Sequence, residues 1–484
     1  MDAHSYINGK FLKREPTKKT INPATLETVT EYSIAVKEDI ENSINIAQKG
    51  FELWSKINVT ERGLILKKVA DLIDLKRREI AELITREEGK TISESLNEVN
   101  NAYKILYYYF GESRRVTSYV VQSEQNNVFA STIRVPLGIV YIITPFNSPF
   151  SIPFWNIAPA LLHGNSVIFK PSHITAGVGH MISLLFDEAG VPPGVFNTII
   201  GDADLISNTI LNDKRVQLVA FTGGTDTGNK LSVLNGKYKR RQILELGGKN
   251  AAIVLSDANL DLAVSSLLFA SFSNAGQRCT ASSRIIVEEG IEKEFIDKFT
   301  FHAKKIVVGN GLDPNVRMGP VAGENQYKKV KSYIERACEK GLNMKLGKCN
   351  YDETPNGYFI YPTIFVNVNK DDELFKDEIF GPIVSITTAK NLDEAIELAN
   401  YTKYGLVSAI YTKDIKSAFR AVNEIDSGVT FVNQGPTGIE YSLPYLGHKE
   451  SGFGEELGRT SIMNYTKTKS VYIDYSYEKR PFFW

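Results

Sequence analysis

The chain has 484 residues, too many for one ordinary core, so two or three domains are expected. Lysine plus arginine and aspartate plus glutamate both number 56, and this zero formal charge argues against a nucleic-acid or anionic-membrane binder driven by bulk charge. Composition is that of a soluble globular protein, with 43% hydrophobic and 23% charged residues, no apolar run of transmembrane length, and three cysteines, which do not make a disulfide framework. The start, Met1-Asp2-Ala3-His4-Ser5-Tyr6, shows no basic stretch followed by an apolar one. A reducing cytoplasm, which keeps a reactive thiol usable, is therefore the expected location.

Residues 6–36 read as short strands and turns, with Asn8-Gly9 as a hairpin signal. From Ile40 the period changes: Ile40, Ile44, Ala47, Phe51 and Trp54 mark one helix face. A second long helix is predicted over 60–88, with Thr60 as N-cap and Gly89 as C-cap. A third carries Tyr103, Leu106, Tyr107 and Phe110, read as packing residues. Residues 116–137 are β-rich with no helix signal, and the tail from Lys469 to Tyr475 alternates like a strand. These two distant segments are candidates to pair with each other and with another subunit.

Between Gly138 and Leu255 the pattern is regular. Apolar runs at 139–143, 167–169, 196–200, 216–221, 243–244 and 251–255 alternate with helical stretches, which indicates a mostly parallel, doubly wound α/β sheet. Ligands of such sheets sit beyond the carboxyl ends of the strands. There lie Thr144-Pro145-Phe146-Asn147, Lys170-Pro171-Ser172-His173, Gly223-Gly224-Thr225 and Glu245-Leu246-Gly247-Gly248-Lys249. Gly223 and Gly228 match only the outer glycines of a dinucleotide fingerprint, but a glycine turn at a helix start still lets backbone amides approach a pyrophosphate. A second α/β unit follows, with strands at 284–287, 383–387, 407–411 and 429–432, and a border between Gly248 and Asp257.

The chemistry centres on Asn274-Ala275-Gly276-Gln277-Arg278-Cys279-Thr280-Ala281. Cys279, next to a cation, is a candidate thiolate nucleophile. Cys338 falls on the apolar helix face of Val330, Ile334 and Ala337 and reads as packing, and Cys349 lies in a turn with no visible polar partner.

Seven motifs occur in order: Thr144-Pro145-Phe146-Asn147, Phe169-Lys170-Pro171-Ser172, Phe221-Thr222-Gly223-Gly224-Thr225, Glu245-Leu246-Gly247-Gly248-Lys249, Gly276-Gln277-Arg278-Cys279, Glu378-Ile379-Phe380-Gly381-Pro382 and Lys449-Glu450-Ser451-Gly452. Together they resemble the aldehyde dehydrogenase superfamily over nearly the whole chain. The resemblance implies a Rossmann-type dinucleotide-binding domain (1–115 and 138–250), an α/β catalytic domain (251–455) and a bridging, oligomerising β unit (116–137 and 465–484). It also implies a homodimer or homotetramer, an aldehyde substrate, and no metal.

By the same resemblance Cys279 is the nucleophile, Asn147 donates to the oxyanion together with the Cys279 backbone N–H, and Glu245 is the base that hydrolyses the thioester. The cofactor is set against Thr144, Pro145, Phe146, Lys170, Ser172, His173, Gly223, Gly224, Glu245, Leu246, Gly247, Glu378 and Phe380, and the substrate against Arg278, Asn147 and Thr280. His173 stands where many NAD-preferring members carry a glutamate, so NADP is expected ahead of NAD, with dual use open. Asn156 replaces a lysine that many members place near the base, which puts a proton relay through that position in doubt. Phe146 replaces a commoner tryptophan, and Asn101 an arginine of phosphoglyceraldehyde oxidisers. The segment Gln434-Gly435-Pro436-Thr437-Gly438-Ile439-Glu440-Tyr441 resembles that of oxo-acid semialdehyde oxidisers, which points to a substrate such as 2,5-dioxopentanoate. Lactaldehyde, glyceraldehyde and aromatic aldehydes stay open, as do a coenzyme A-acylating enzyme and a non-catalytic member.

Overall fold

The computed structural model describes residues 1–115, 118–353 and 356–478; of the segments expected to bridge subunits, positions 116–117 and 479–484 lie outside the described residues. The first sheet has eight strands. In spatial order they are Gly452–Phe453, Arg241–Glu245, Val216–Thr222, Ile139–Ile143, Ser166–Lys170, Phe196–Thr198, Ser5–Ile7 and Lys10–Leu12. The five central strands run parallel, and the edges are closed by antiparallel partners.

Ile139–Ile143 is buried throughout because both of its faces are covered. Ile139, Tyr141 and Ile143 pack with Ile40, Ile44 and Ala47 of the helix Lys37–Trp54. Val140 and Ile142 face Phe154 and Ile157 of the helix Ser151–Leu162. Period-two alternation therefore sends one continuous apolar run into two cores.

Register decides where the loops emerge. Ile143 lies opposite both Lys170 and Phe221, and Thr222 lies opposite Glu245. Strand order reverses between Ile139–Ile143 and Val216–Thr222, so the Thr144 and Gly223 loops leave on either side of a topological switch point, where such sheets bind ligands.

The second sheet has seven strands: Asn343–Leu346, Thr363–Val366, Ile383–Ala389, Ser282–Glu288, Asn250–Val254, Val407–Tyr411 and Val429–Val432. All neighbours are parallel except the first pair. The apolar run at 251–255, grouped above with the first sheet, belongs in the middle of the second. Periodicity identifies a buried strand but not the sheet it joins. The chain crosses between sheets within Leu246-Gly247-Gly248-Lys249, and Gly452–Phe453 later returns from the second unit to pair with Arg241–Glu245. Separately, Val128–Pro136 and Thr466–Asp474 form a nine-residue antiparallel ladder, with Val120–Val121 on its outer side.

Two further expectations are corrected. The helix predicted over 60–88 is two helices, Val59–Leu75 and Arg77–Glu88, because Lys76 leaves helical geometry with neither glycine nor proline to signal it. Asn58, not Thr60, caps the first, its side chain accepting the Thr60 N–H, while Gly89 ends the second at φ 104°. Cys338 and Cys349 are not a packing residue and an isolated thiol but a disulfide: the chain turns back after the helix Glu324–Glu339 and brings their Cα atoms to 6.0 Å. No helix among the described residues is long and apolar enough to cross a membrane.

Candidate active site

The cysteine loop begins where the helix Leu260–Phe272 ends. Asn274 and Ala275 both take φ 51° and Gly276 φ 70°, a run of left-handed backbone that alanine adopts only under restraint. The restraint is visible. Glu94 accepts the Asn274 N–H at 2.7 Å, and the Gln277 side chain donates to Asn274 O at 3.2 Å and accepts the Ala322 N–H at 2.8 Å. A Cβ on Gly276 would lie 2.3 Å from Gly381 O, so no other residue fits there.

Cys279 is the free cysteine, half-buried, with Sγ 3.4 Å from the Tyr445 hydroxyl. Burial pushes its thiol up to about 11, outweighing the Tyr445 hydrogen bond and the Arg278 charge. The simple expectation that the adjacent cation leaves a ready thiolate is thus corrected: Arg278 acts in that direction, but desolvation is larger. The Arg278 guanidinium instead donates to Ser273 Oγ at 2.9 Å and lies over the Phe269 ring. Thr280 is buried beside it.

Asn147 is buried, and no described side chain pairs with its amide; its backbone carbonyl accepts from Lys90 Nζ at 2.5 Å and Asn274 Nδ2 at 3.1 Å. Glu245 ends its strand at 2% exposure with both carboxylate oxygens unpartnered. Desolvation, then the charge of Glu456, holds its pKa well above the usual carboxylate range, and its own charge is felt at Cys279 and Tyr445. Glu456, pushed by burial to about 7, accepts from Asn156 Nδ2 at 2.6 Å, and Asn156 accepts from Tyr465 Oη at 2.5 Å. Asn156 therefore sits in a hydrogen-bond chain beside Glu245 but brings no cation to it.

The cofactor candidates cluster along the strand ends. Thr144 Oγ1 is buried with no hydrogen-bond partner among the described residues, so a ligand can take it up. Gly224 starts the helix Thr225–Lys237, and Gly228 leaves room for Leu246. Lys170 is buried, its amine lowered to about 8 by desolvation against the pull of Asp202. The Ser172 hydroxyl accepts the Ile174 N–H, and His173 is exposed. Gly247 and Gly248 bring backbone against Glu378, whose carboxylate accepts the Gly248 N–H at 2.9 Å. Phe380, at φ 62°, meets Phe146 edge to face at 5.9 Å. The Phe380 loop is braced by Gln326 Nε2 donating to Ile379 and Phe380 carbonyls, and by Lys329 Nζ donating to Glu378 O.

Sequence reasoning missed Tyr445, Glu456 and the Lys90 cluster. None lies in a glycine-rich or nucleophile motif, and each reaches the site from far along the chain. Asn101, noted only as a substitution, accepts from Tyr441 Oη at 2.8 Å and so ties the helix Ile92–Glu112 to the 434–441 segment.

Two mostly parallel sheets, the strand ends of the first facing a cysteine loop of the second, define a Rossmann-like α/β architecture. The chain belongs to the aldehyde dehydrogenase family, which it matches over residues 11–471. It is 38% identical to a 2,5-dioxopentanoate dehydrogenase of Saccharolobus solfataricus, covering 93% of this chain and 95% of that one. It is 35% identical to an alpha-ketoglutaric semialdehyde dehydrogenase of Bacillus subtilis, over 97% of both. A crystal structure of betaine aldehyde dehydrogenase from Staphylococcus aureus in complex with NAD+ superposes with a TM-score of 0.94 at 32% identity, covering 99% of this chain and 95% of that one. The protein is accordingly an NAD(P)-dependent oxidoreductase acting on an aldehyde.

Proposed function

We propose that the enzyme oxidises a small polar oxo-acid semialdehyde, with 2,5-dioxopentanoate foremost, to the free carboxylic acid, and prefers NADP to NAD. The observation that carries this reading is Glu245: a buried carboxylate with both oxygens free, its affinity for a proton raised, acting electrostatically on Cys279. A group so placed suits a general base for water attacking a thioester on that sulfur. A coenzyme A-acylating enzyme has no use for it.

In this mechanism the Cys279 thiol gives up its proton to solvent, and Sγ adds as the thiolate to the aldehyde carbon. The resulting oxyanion is met by the Asn147 amide and the Cys279 backbone N–H. Thr144, Pro145, Phe146, Lys170, Ser172, Gly223, Gly224, Leu246, Gly247, Glu378 and Phe380 would hold a nicotinamide cofactor, which would supply the acceptor for the hydride that leaves the substrate carbon and so turns the adduct into a thioester on Cys279. Glu245 then takes a proton from water as the water attacks the thioester, and the acid leaves with the sulfur restored. Asn147→Ala is expected to lower kcat by about 10²–10³-fold, the usual cost of one oxyanion donor; steady-state kinetics at saturating aldehyde and cofactor check it.

The substrate class rests on two relatives whose names describe one oxo-acid semialdehyde, and on Arg278 and Thr280 flanking the nucleophile. NADP preference rests on the neighbourhood of His173. Although His173 is exposed, partial desolvation of its ring, Lys170 and Lys18 lower its pKa, so two lysines are close enough to act on it and no carboxylate is among the causes. His173→Glu is expected to lower kcat/KM for NADP by roughly tenfold and leave NAD within a few-fold, because an acid there meets a 2′-phosphate with like charge, partly screened by solvent. An absorbance assay that crosses an aldehyde panel with both cofactors, with and without coenzyme A, tests the whole reading; acyl-coenzyme A as product, or turnover with NAD alone, would sink it.

We read the chain as a dinucleotide-binding domain (1–115 with 138–250), a catalytic domain (251–455) and a bridging unit; the two sheets and the separate ladder support this reading, and the return of Gly452–Phe453 to the first sheet cuts across it. A homodimer or homotetramer through that ladder is favoured by Tyr119, Val120, Ile133, Tyr472 and Ile473, which are all exposed on it. The cytoplasm is the proposed location, favoured by the need to keep the Cys279 thiol reduced, although the Cys338–Cys349 bond is a feature more common outside it.

A further inference from the structure

The segment 87–98 touches both loops that carry the reacting groups, yet none of its side chains enters the mechanism above. Lys90 is 4% exposed, and its ammonium donates to Glu98 Oε2 at 2.8 Å and to the backbone carbonyl of Asn147 at 2.5 Å. Glu98 is 5% exposed, and its other oxygen accepts the N–H groups of Phe150 and Ser151 at 2.8 and 3.1 Å. Those are the N-cap and first residue of Ser151–Leu162, a helix with no side-chain cap of its own. The carbonyl gripped by Lys90 also accepts Asn274 Nδ2 at 3.1 Å, and Glu94 holds the Asn274 N–H at 2.7 Å. One oxygen atom thus joins the Asn147 loop, the loop leading to Cys279 and the buried ammonium.

Burial works against the Lys90 charge, but Glu88, Glu98 and Glu94 outweigh it, so the lysine stays an ammonium. Buried ion pairs contribute little net stability compared with apolar side chains of similar size. What this one supplies is a fixed point on a peptide whose orientation aims the Asn147 side chain.

We infer that Lys90 is a positioning residue: with Glu98 it clamps the Asn147 backbone against the Asn274 loop and sets where the Asn147 amide points relative to the Cys279 sulfur. This rests on the reading of Asn147 as the oxyanion donor. Misplacing a reacting group by about 1 Å costs on the order of 10²-fold in rate.

The test is a cycle between the clamp and the amide. K90M/E98Q removes the hydrogen-bonded pair of charges together, the buried Glu88 left without its cation can take up a proton since burial already raises its pKa to about 7, and the glutamine keeps an oxygen for Phe150 and Ser151. Its kcat is expected to fall by about 10–100-fold while equilibrium binding of NADP, followed by fluorescence, changes by less than about threefold. Placed on N147A, the same pair should lower kcat by less than about threefold more, since there is no amide left to aim. A multiplicative loss on N147A, an unchanged kcat in K90M/E98Q, or a parallel loss of NADP binding overturns the inference. If K90M/E98Q does not fold, K90R, which keeps the charge, is read in the same cycle with the same criteria. N147A with full turnover overturns the reading of Asn147 itself, a result distinct from the others.

Discussion

Cys279→Ala is expected to lower aldehyde-dependent reduction of NAD(P) by at least about 10⁴-fold, because loss of a nucleophile removes the covalent route altogether and such losses reach about 10⁶-fold elsewhere. NADP should still bind, since no strand-end group that faces the cofactor is altered, and a binding titration separates lost chemistry from lost folding. The wild-type sulfur carries its own pH signature. With its pKa pushed up to about 11 by burial, Cys279 in the free enzyme is a thiol at neutral pH. Capture by iodoacetamide should therefore accelerate about tenfold per pH unit between 7 and 10, following the thiolate fraction. A rate that is already flat across that range would mean that a cation overrides burial. Retained oxidation in the alanine variant would remove Cys279 from the mechanism.

Glu245→Gln is expected to separate the two halves of the reaction. Attack and hydride departure need no base for water, so one equivalent of reduced cofactor per subunit should form in a burst. Hydrolysis should then slow by about 10²–10⁴-fold, and the acyl group should be recoverable on Cys279 by mass spectrometry of the quenched protein. The pH dependence follows from the raised pKa. A general base works as the carboxylate, so turnover in the wild type should fall as pH drops through that raised value, well above the ordinary carboxyl range. The limb should vanish in Glu245→Gln. Glu456, at about 7 and charge-coupled to Glu245, titrates in the same region, so the limb belongs to the pair and should be broader than a single ionisation. Full steady-state turnover in Glu245→Gln, with no burst, would return Glu245 to a merely structural place.

How much of this was legible in the chain depends on the range of the physics involved. Strand and helix identities followed from local periodicity: the buried run at Ile139–Ile143 and the face of Ile40, Ile44 and Ala47 needed only their own neighbours. The glycine turn at Gly223-Gly224 and the loop at Gln277-Arg278-Cys279 were also readable, because backbone approach and thiol chemistry demand particular residue types at fixed spacing. The break at Lys76 was not, since a helix bends there without glycine or proline. The Cys338–Cys349 bond was not, since pairing depends on the path of the chain between them. Tyr445 and Glu456 lie in short strands with no periodic pattern, and they reach the site only because Gly452–Phe453 turns back onto Arg241–Glu245.

By itself, the sequence determined the class of fold, the order of the motifs, the family and the residue types on which the chemistry draws. Tertiary structure alone decided which run enters which sheet, that Ile143, Lys170, Phe221 and Glu245 end along one edge, and how each group is charged. Desolvation made that last difference. Arg278 beside Cys279 announces a lowered thiol pKa, and an isolated Glu245 announces an ordinary carboxylate, but both values are set by what is packed around them, and burial moves both upward.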